Sequence, residues 1–209
     1  MSTDYPILGA PTISLQAFTN VLRSAGSPIG AEAQGVYNAY VAHGVNPAIG
    51  LAIAQHESGY GKAGIAVGRD NPYGLRYYAG SYAGAVNAGG WAKFTSYTAA
   101  ANAHAGLLAS SGYGRSAHYN TARTFAYRYA PSKDHNNPTA YGSAVVASLQ
   151  RWGAGKGIDY TPSKTAAKAP AKPTPSHPVH PAVGYAKAHP HATGAAVGIG
   201  GALLLALII

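Results

Sequence analysis

Apolar side chains recur along this chain at helical spacing, interrupted by one long glycine-rich stretch. Between residues 12 and 25 they fall at Ile13, Leu15, Phe18, Val21 and Leu22, the rhythm of an amphipathic helix closed by Gly26. A second helix is predicted over about 31–43, with Val36, Tyr37, Tyr40 and Val41 in one stripe and Gly44 behind it. The third has a different character. Ala48, Ile49, Leu51, Ala52, Ile53 and Ala54 leave it almost no polar face, so it should be a buried core helix. Asn46-Pro47 supplies its start, because Asn caps free amides and Pro is tolerated at the first helical position. Gly59 and Gly61 supply its end, because glycine accepts the left-handed conformation of a helix C-cap. Glu57 therefore sits in the last turn.

Residues 62–96 change texture to glycine, tyrosine and asparagine, with extended pieces at 73–78 and 91–94, and read as a loop-rich lobe carrying a small hairpin. Helical spacing resumes at 98–110 with Leu107 and Leu108, and again at 121–129 with Phe125. A last helix opens at Asn137-Pro138 and shows Tyr141, Val145, Leu149 and Trp152 at regular intervals. The predicted fold class is mainly α, with a small loop and β-hairpin lobe, in one body over residues 1–160.

Residues 161–191 consist largely of Pro, Ala, Lys and His, a composition that buries too little apolar surface to offset ordering entropy. An extended linker is expected there. Its histidines, at 177, 180, 189 and 191, have no fixed geometry and no supporting hydrogen bonds to make a metal site, so neither metal nor cofactor is expected. Residues 192–209 carry no charge and end in an aliphatic run. As a helix they would cover about 27 Å, just enough for a bilayer core, and a C-terminal transmembrane anchor is predicted.

The chemistry centres on Glu57. A carboxylate in the last turn of an apolar helix meets the negative end of the helix dipole and low-dielectric surroundings, and both push its pKa up. A carboxylic acid so raised is what a general acid needs at neutral pH. The chain has only one other glutamate, Glu32.

Charge and cysteine content narrow the setting. The formal net charge is +9; the linker's Lys164, Lys168, Lys172 and Lys187 provide nearly half of it and leave +5 for residues 1–160. Such a balance favours anionic partners, among them wall polymers, nucleic acid and acidic lipid. No nucleic-acid motif or compact basic helix face is present, so nucleic acid is not an expected partner. The absence of cysteine removes disulfides and thiolate metal sites. No His-Glu-x-x-His helix is present either, which sets aside a metallopeptidase.

Five motifs in order carry a family resemblance: His56-Glu57-Ser58-Gly59-Tyr60-Gly61, Asn71-Pro72-Tyr73-Gly74-Leu75, Phe94-Thr95-Ser96-Tyr97, His104-Ala105-Gly106-Leu107-Leu108 and Tyr129-Ala130-Pro131. Over roughly residues 12–152 the chain resembles the glucosaminidase group of peptidoglycan hydrolases, which have a lysozyme-like fold. The resemblance implies a cleft for alternating N-acetylglucosamine and N-acetylmuramic acid, with Glu57 as the acid that protonates the glycosidic oxygen. It also implies that residues 69–76, including Asn71 and Arg76, and the 94–97 turn, including Phe94, line the cleft, and that Tyr129 lies near the acid. By their chemistry, Tyr60, Tyr73, Tyr97 and Tyr129 suit sugar platforms, since aromatic faces pack on sugar rings and hydroxyls hydrogen-bond.

One departure from the family is a missing glutamate in the loop-rich lobe. Two-carboxylate hydrolysis needs a second acid at a set separation, and Asp70 is the only acid in that lobe. Either Asp70 assists or Glu57 works alone, with the substrate's N-acetyl group as internal nucleophile or, as in lytic transglycosylases, with a 1,6-anhydro ring closing on muramic acid. A wall-binding protein that keeps the cleft without turnover is the reading from another class. The N-terminus lacks the basic and apolar features of a secretory signal, and lysines precede the apolar run while none follow it. That asymmetry would hold the enzyme on the cytoplasmic side, away from the wall. A bacteriophage particle with an internal membrane resolves the conflict, with a bacterial cell membrane as the alternative; the expected partners are then peptidoglycan strands and lipid.

Overall fold

The third helix organises the structure, a computed structural model that describes residues 4–153. It is α3, Pro47–Ser58, and every residue from Pro47 to Ala54 in it is buried, as its all-round apolar sequence requires. Asn46 caps it by accepting the Ala48 N–H at 3.1 Å. Around α3 lie α1 (Leu15–Ser24), α2 (Ala33–Ala42), α4 (Tyr97–Leu108), the short α5 (Ala126–Tyr129) and α6 (Pro138–Arg151). The fold is mainly helical with one small sheet. Burying Ile49, Leu51 and Ile53 contributes on the order of 1.5–3 kcal/mol per side chain.

Helix packing is closest where side chains are smallest. A Cβ on Gly50 would stand 2.0 Å from Cζ of Tyr40, so the ring of α2 lies directly on the α3 backbone. On the next interface a Cβ on Gly35 would stand 2.4 Å from the Thr98 hydroxyl oxygen of α4.

Sequence boundaries and observed ones agree best where a cap residue fixes the end. Ser14 caps α1 through the Ala17 N–H, and Asn137 caps α6 through Ala140. The predicted helix over 31–43 divides into a 3-10 turn, Pro28–Glu32, and α2. The predicted helix over 121–129 shrinks to α5, because Thr121 and Thr124 bond to each other and turn the backbone before it winds.

In the loop-rich lobe, β1 (Val86–Ala88) and β2 (Trp91–Lys93) form an antiparallel hairpin across Gly89-Gly90. These turn glycines have φ of 67° and 82°, the left-handed pair that a tight hairpin requires. The extended piece expected at 73–78 makes a single bridge, Arg76 to Trp91, instead of a strand. Residues 4–9, which carry no periodic signal, run between two loops. Ile7 donates to the Asn120 carbonyl at 2.9 Å and accepts from Asn46 at 2.9 Å, which fixes the start of α3. No helix among the described residues is long and apolar enough to cross a membrane, and the predicted linker and anchor lie outside those residues.

Candidate active site

The position of Glu57 follows from the way α3 ends. The buried Ser58 hydroxyl lies 2.8 Å from the Pro72 carbonyl, 3.1 Å from that of Ala54, and accepts the Gly61 N–H at 2.8 Å. One side chain therefore fastens the helix terminus to the loop-rich lobe. Gly59, Tyr60 and Gly61 follow with φ of 54°, 64° and 81°. Tyr60 is not a glycine and so carries strain of roughly 1–2 kcal/mol in that region. Its N–H on the Ala54 carbonyl, at 2.9 Å, and its own carbonyl under the Ser27 hydroxyl, at 2.8 Å, hold it there.

This reversal leaves Glu57 partly exposed at the rim of the helical body, facing α6. Tyr141 of that helix donates its phenolic proton to Glu57 Oε1 at 2.6 Å. The His56 ring packs on Tyr141 with centroids 4.1 Å apart, and two turns further along α6 Ser148 donates to Gln55 Oε1 at 2.8 Å. Burial pushes the Glu57 carboxyl up to about 7, and the Tyr141 bond works against that rise. At neutral pH a large fraction of molecules thus carry Glu57 protonated. His56 is held below its ordinary range by burial.

Asp70 stands apart from this pair. Its backbone is left-handed, with φ 48°, and its charge acts on the Tyr97 phenol. Burial raises the Tyr97 phenol, and the charges of Asp70 and then Glu32 add to the rise. The shift of Glu57 follows from burial and Tyr141, without a contribution from Asp70.

Four residues expected to bind sugar serve the interior instead. Asn71 is fully buried and donates to the Leu75 and Ala92 carbonyls, both at 2.8 Å, while accepting the Leu75 N–H at 2.9 Å. It pins the loop to the hairpin. Phe94 is 2 % exposed, and Tyr73 and Tyr129 are 1 % and 0 % exposed, so none of the three offers a ring face to a ligand. The reason is a buried polar network. Tyr73 stacks on His104 at 4.1 Å, and the Tyr129 hydroxyl donates to the Tyr73 carbonyl at 2.8 Å. The Tyr40 hydroxyl lies 2.7 Å from His104 Nδ1 and that of Tyr129 lies 3.4 Å from Nε2. With the Tyr129 proton committed to Tyr73, this network assigns the imidazole hydrogen to Nε2. Burial lowers the His104 pKa to about 3, so the ring is neutral.

The remaining candidates lie nearer the surface. Tyr97 is half-buried, Arg76 is half-buried with its guanidinium 3.8 Å over the Trp91 ring, and Tyr60 is 8 % exposed. Burial pushes the Tyr60 phenol up to about 12 against the charge of Arg151. The other glutamate, Glu32, accepts the Tyr97 and Thr98 N–H groups at 3.1 and 2.9 Å and caps α4. Although burial opposes it, these bonds bring its pKa below the ordinary value.

Tyr141 and His56 carry the site and were not among the residues singled out from the sequence. The available signal was a hydroxyl on the core-facing stripe of α6, since a phenol directed inward has to find an acceptor. Among the described residues, no cluster of three or more His, Asp or Glu is placed to hold a metal.

No curated protein and no solved structure matches the chain. The glucosaminidase family model, described as mannosyl-glycoprotein endo-beta-N-acetylglucosaminidase, matches residues 33–154. That span exceeds half of the 209 residues and contains both Glu57 and the helix that supplies Tyr141. The chain belongs to the glucosaminidase family, lysozyme-like glycosidases that cleave peptidoglycan.

Proposed function

We propose that this chain cleaves the glycan backbone between N-acetylglucosamine and N-acetylmuramic acid, with Glu57 as general acid. The observation that carries the reading is the carboxyl of Glu57, lifted to about 7 by burial and oriented by Tyr141 at 2.6 Å. Its proton passes to the glycosidic oxygen as the bond to the anomeric carbon breaks, and the departing sugar leaves as an alcohol. The electron-poor anomeric carbon then needs a nucleophile.

The engagement of Asp70 with Tyr97 favours completion without a second carboxylate. The substrate's acetamido oxygen can close on the anomeric carbon, with water opening the ring later. Alternatively the 6-hydroxyl of muramic acid closes a 1,6-anhydro ring while the Glu57 carboxylate takes its proton, which is lytic transglycosylation. Digestion of purified peptidoglycan, read by mass spectrometry, separates these routes. Reducing glucosamine or muramic acid ends report hydrolysis and 1,6-anhydro ends report transglycosylation. Glu57→Gln should abolish fragment release; undiminished release would remove Glu57 from the reaction, and wall binding without release by the wild type would make this a wall-binding protein.

The same proposal holds the enzyme in a membrane, that of a bacteriophage particle or of a bacterial cell. The uncharged run 192–209 behind a Pro-rich tract supports it. Extraction from purified virions or cell membranes should then require detergent, and release by salt alone would refute attachment.

A further inference from the structure

A second polar feature lies along the junction of the two lobes. After α4 the chain makes a long irregular excursion, and Arg128 of α5 returns beneath it. The guanidinium carbon stands 5.6 Å from the Tyr113 ring and 5.9 Å from the Tyr119 ring. Burial raises the pKa of the Tyr113 phenol, and the guanidinium charge works against that rise. At Gly112 a Cβ would meet Cζ, Nε and Nη2 of Arg128, each at 3.4 Å, so the bare backbone of a glycine closes the third side. The guanidinium is thus held in place while the side chain remains half-exposed.

No carboxylate among the described residues matches its charge. Asp4 accepts backbone N–H groups of Tyr5 and Arg123, Glu32 caps α4, Glu57 takes Tyr141, the Asp70 charge acts on Tyr97, and Asp134 keeps one buried carboxylate oxygen without a hydrogen bond. A rigid, planar, half-exposed fork of donors matches a carboxylate in geometry and charge. Tyr113 also faces Tyr82 of the loop-rich lobe, and its ring lies 6.1 Å from Tyr129, itself 6.0 Å from the ring of Tyr141. Two ring contacts separate this arginine's platform from the partner of Glu57, a separation within reach of a few sugar units.

We propose that Arg128, framed by Tyr113 and Tyr119, is an anion subsite that binds the carboxylates of the muramic acid units: the lactyl carboxylate where no peptide is attached, or the carboxylates of the peptide where one is. The subsite rests on the glycan-cleaving reading above and gives it substrate selectivity: muramic acid bears a carboxyl substituent where glucosamine has a hydroxyl.

The full-length protein in detergent, carrying Glu57→Gln to prevent turnover, is co-sedimented with purified sacculi, either native or with their carboxylates amidated. Addition of Arg128→Gln should weaken binding to native sacculi about tenfold, as expected for loss of a charge-assisted bond, and leave binding to amidated sacculi unchanged. Arg115→Gln removes the same charge from an exposed position on the neighbouring loop, and a loss of less than threefold there sets the non-specific contribution. Arg128→Lys keeps the charge but loses the planar fork and should fall between wild type and Arg128→Gln on native sacculi; it also serves if Arg128→Gln does not fold. An amidase that removes the peptides also frees the lactyl carboxylate that their amide bond had masked, so the stripped glycan separates the sources: an Arg128-dependent preference kept on it names the lactyl carboxylate, and a lost one names the peptide. Equal losses for Arg128→Gln and Arg115→Gln, or equal losses on native and amidated sacculi, overturn the subsite. Fragment release by the protein with Glu57 intact is scored separately, so absence of cleavage counts against the glycosidase reading and not against the anion subsite.

Discussion

Substituting Glu57 by Gln should stabilise the protein in alkaline solution while abolishing its activity. Burial raises the Glu57 pKa from 4.5 to about 7 in the folded state. The folded chain therefore holds a proton that the unfolded chain releases between those values. The stability associated with this group is complete below pH 4.5 and is lost as pH rises through 7. At about 1.36 kcal/mol per pH unit, the loss at pH 8 reaches about 3 kcal/mol, an upper figure because some solvent still reaches the side chain. Gln cannot ionise, and its carbonyl can still accept the Tyr141 proton, so the variant escapes the loss. His104 contributes in the opposite direction: its folded pKa of about 3 lies under the ordinary 6.5, so it costs stability as pH falls below 6.5. That contribution is common to both proteins and cancels in their difference. Urea midpoints from pH 4.5 to 8.5 give the test. The variant should match the wild type near pH 4.5 and exceed it progressively, with a melting temperature roughly 6–12 °C higher at pH 8. A gap that stays flat with pH, or one that favours the wild type at pH 8, would mean that Glu57 is not the buried acid described here.

Three other substitutions probe its surroundings. Tyr141→Phe removes a bond that lowers the Glu57 pKa, so the alkaline limb of the pH–rate profile should move up by about one unit; movement to lower pH would contradict the donor assignment. Glu32→Gln should cost about 1 kcal/mol at pH 7 through weaker capping of α4. Because the folded pKa of Glu32 is depressed, the wild-type advantage should be complete above pH 4.5 and be lost as pH falls below it through the folded value, as thermal melts at descending pH would show. Gly50→Ala puts a methyl group against the Tyr40 ring, which is tied to His104, and should destabilise by about 1–3 kcal/mol in urea titrations; a neutral effect would mean that the ring can shift.

What the sequence made legible is local chemistry, and what it hid is the choice of partners. The termini of α3 and α6 could be read because Asn-Pro and Gly act on amides within a few residues of themselves. Glu57 could be read because an apolar helix carries its surroundings in its own sequence. Tyr141 lies 84 residues further on, and the stripe that faces it inward says only that some acceptor must exist. The tyrosines show the same limit from the opposite side. Tyr73 and Tyr129 have the amphipathic character of sugar platforms, and a phenol is costly to bury without a partner. A core that supplies partners removes that cost, and here the imidazole of His104 and the carbonyl of Tyr73 do so across separations of 25 and 56 residues. His104 thereby commits to the fold two rings that composition alone would have assigned to substrate. The chain's tyrosine content thus marks a polar core as much as a polar cleft. Residues left for ligand chemistry are those that keep some exposure, chief among them Glu57 at the end of α3, whose carboxyl the Tyr141 hydroxyl orients.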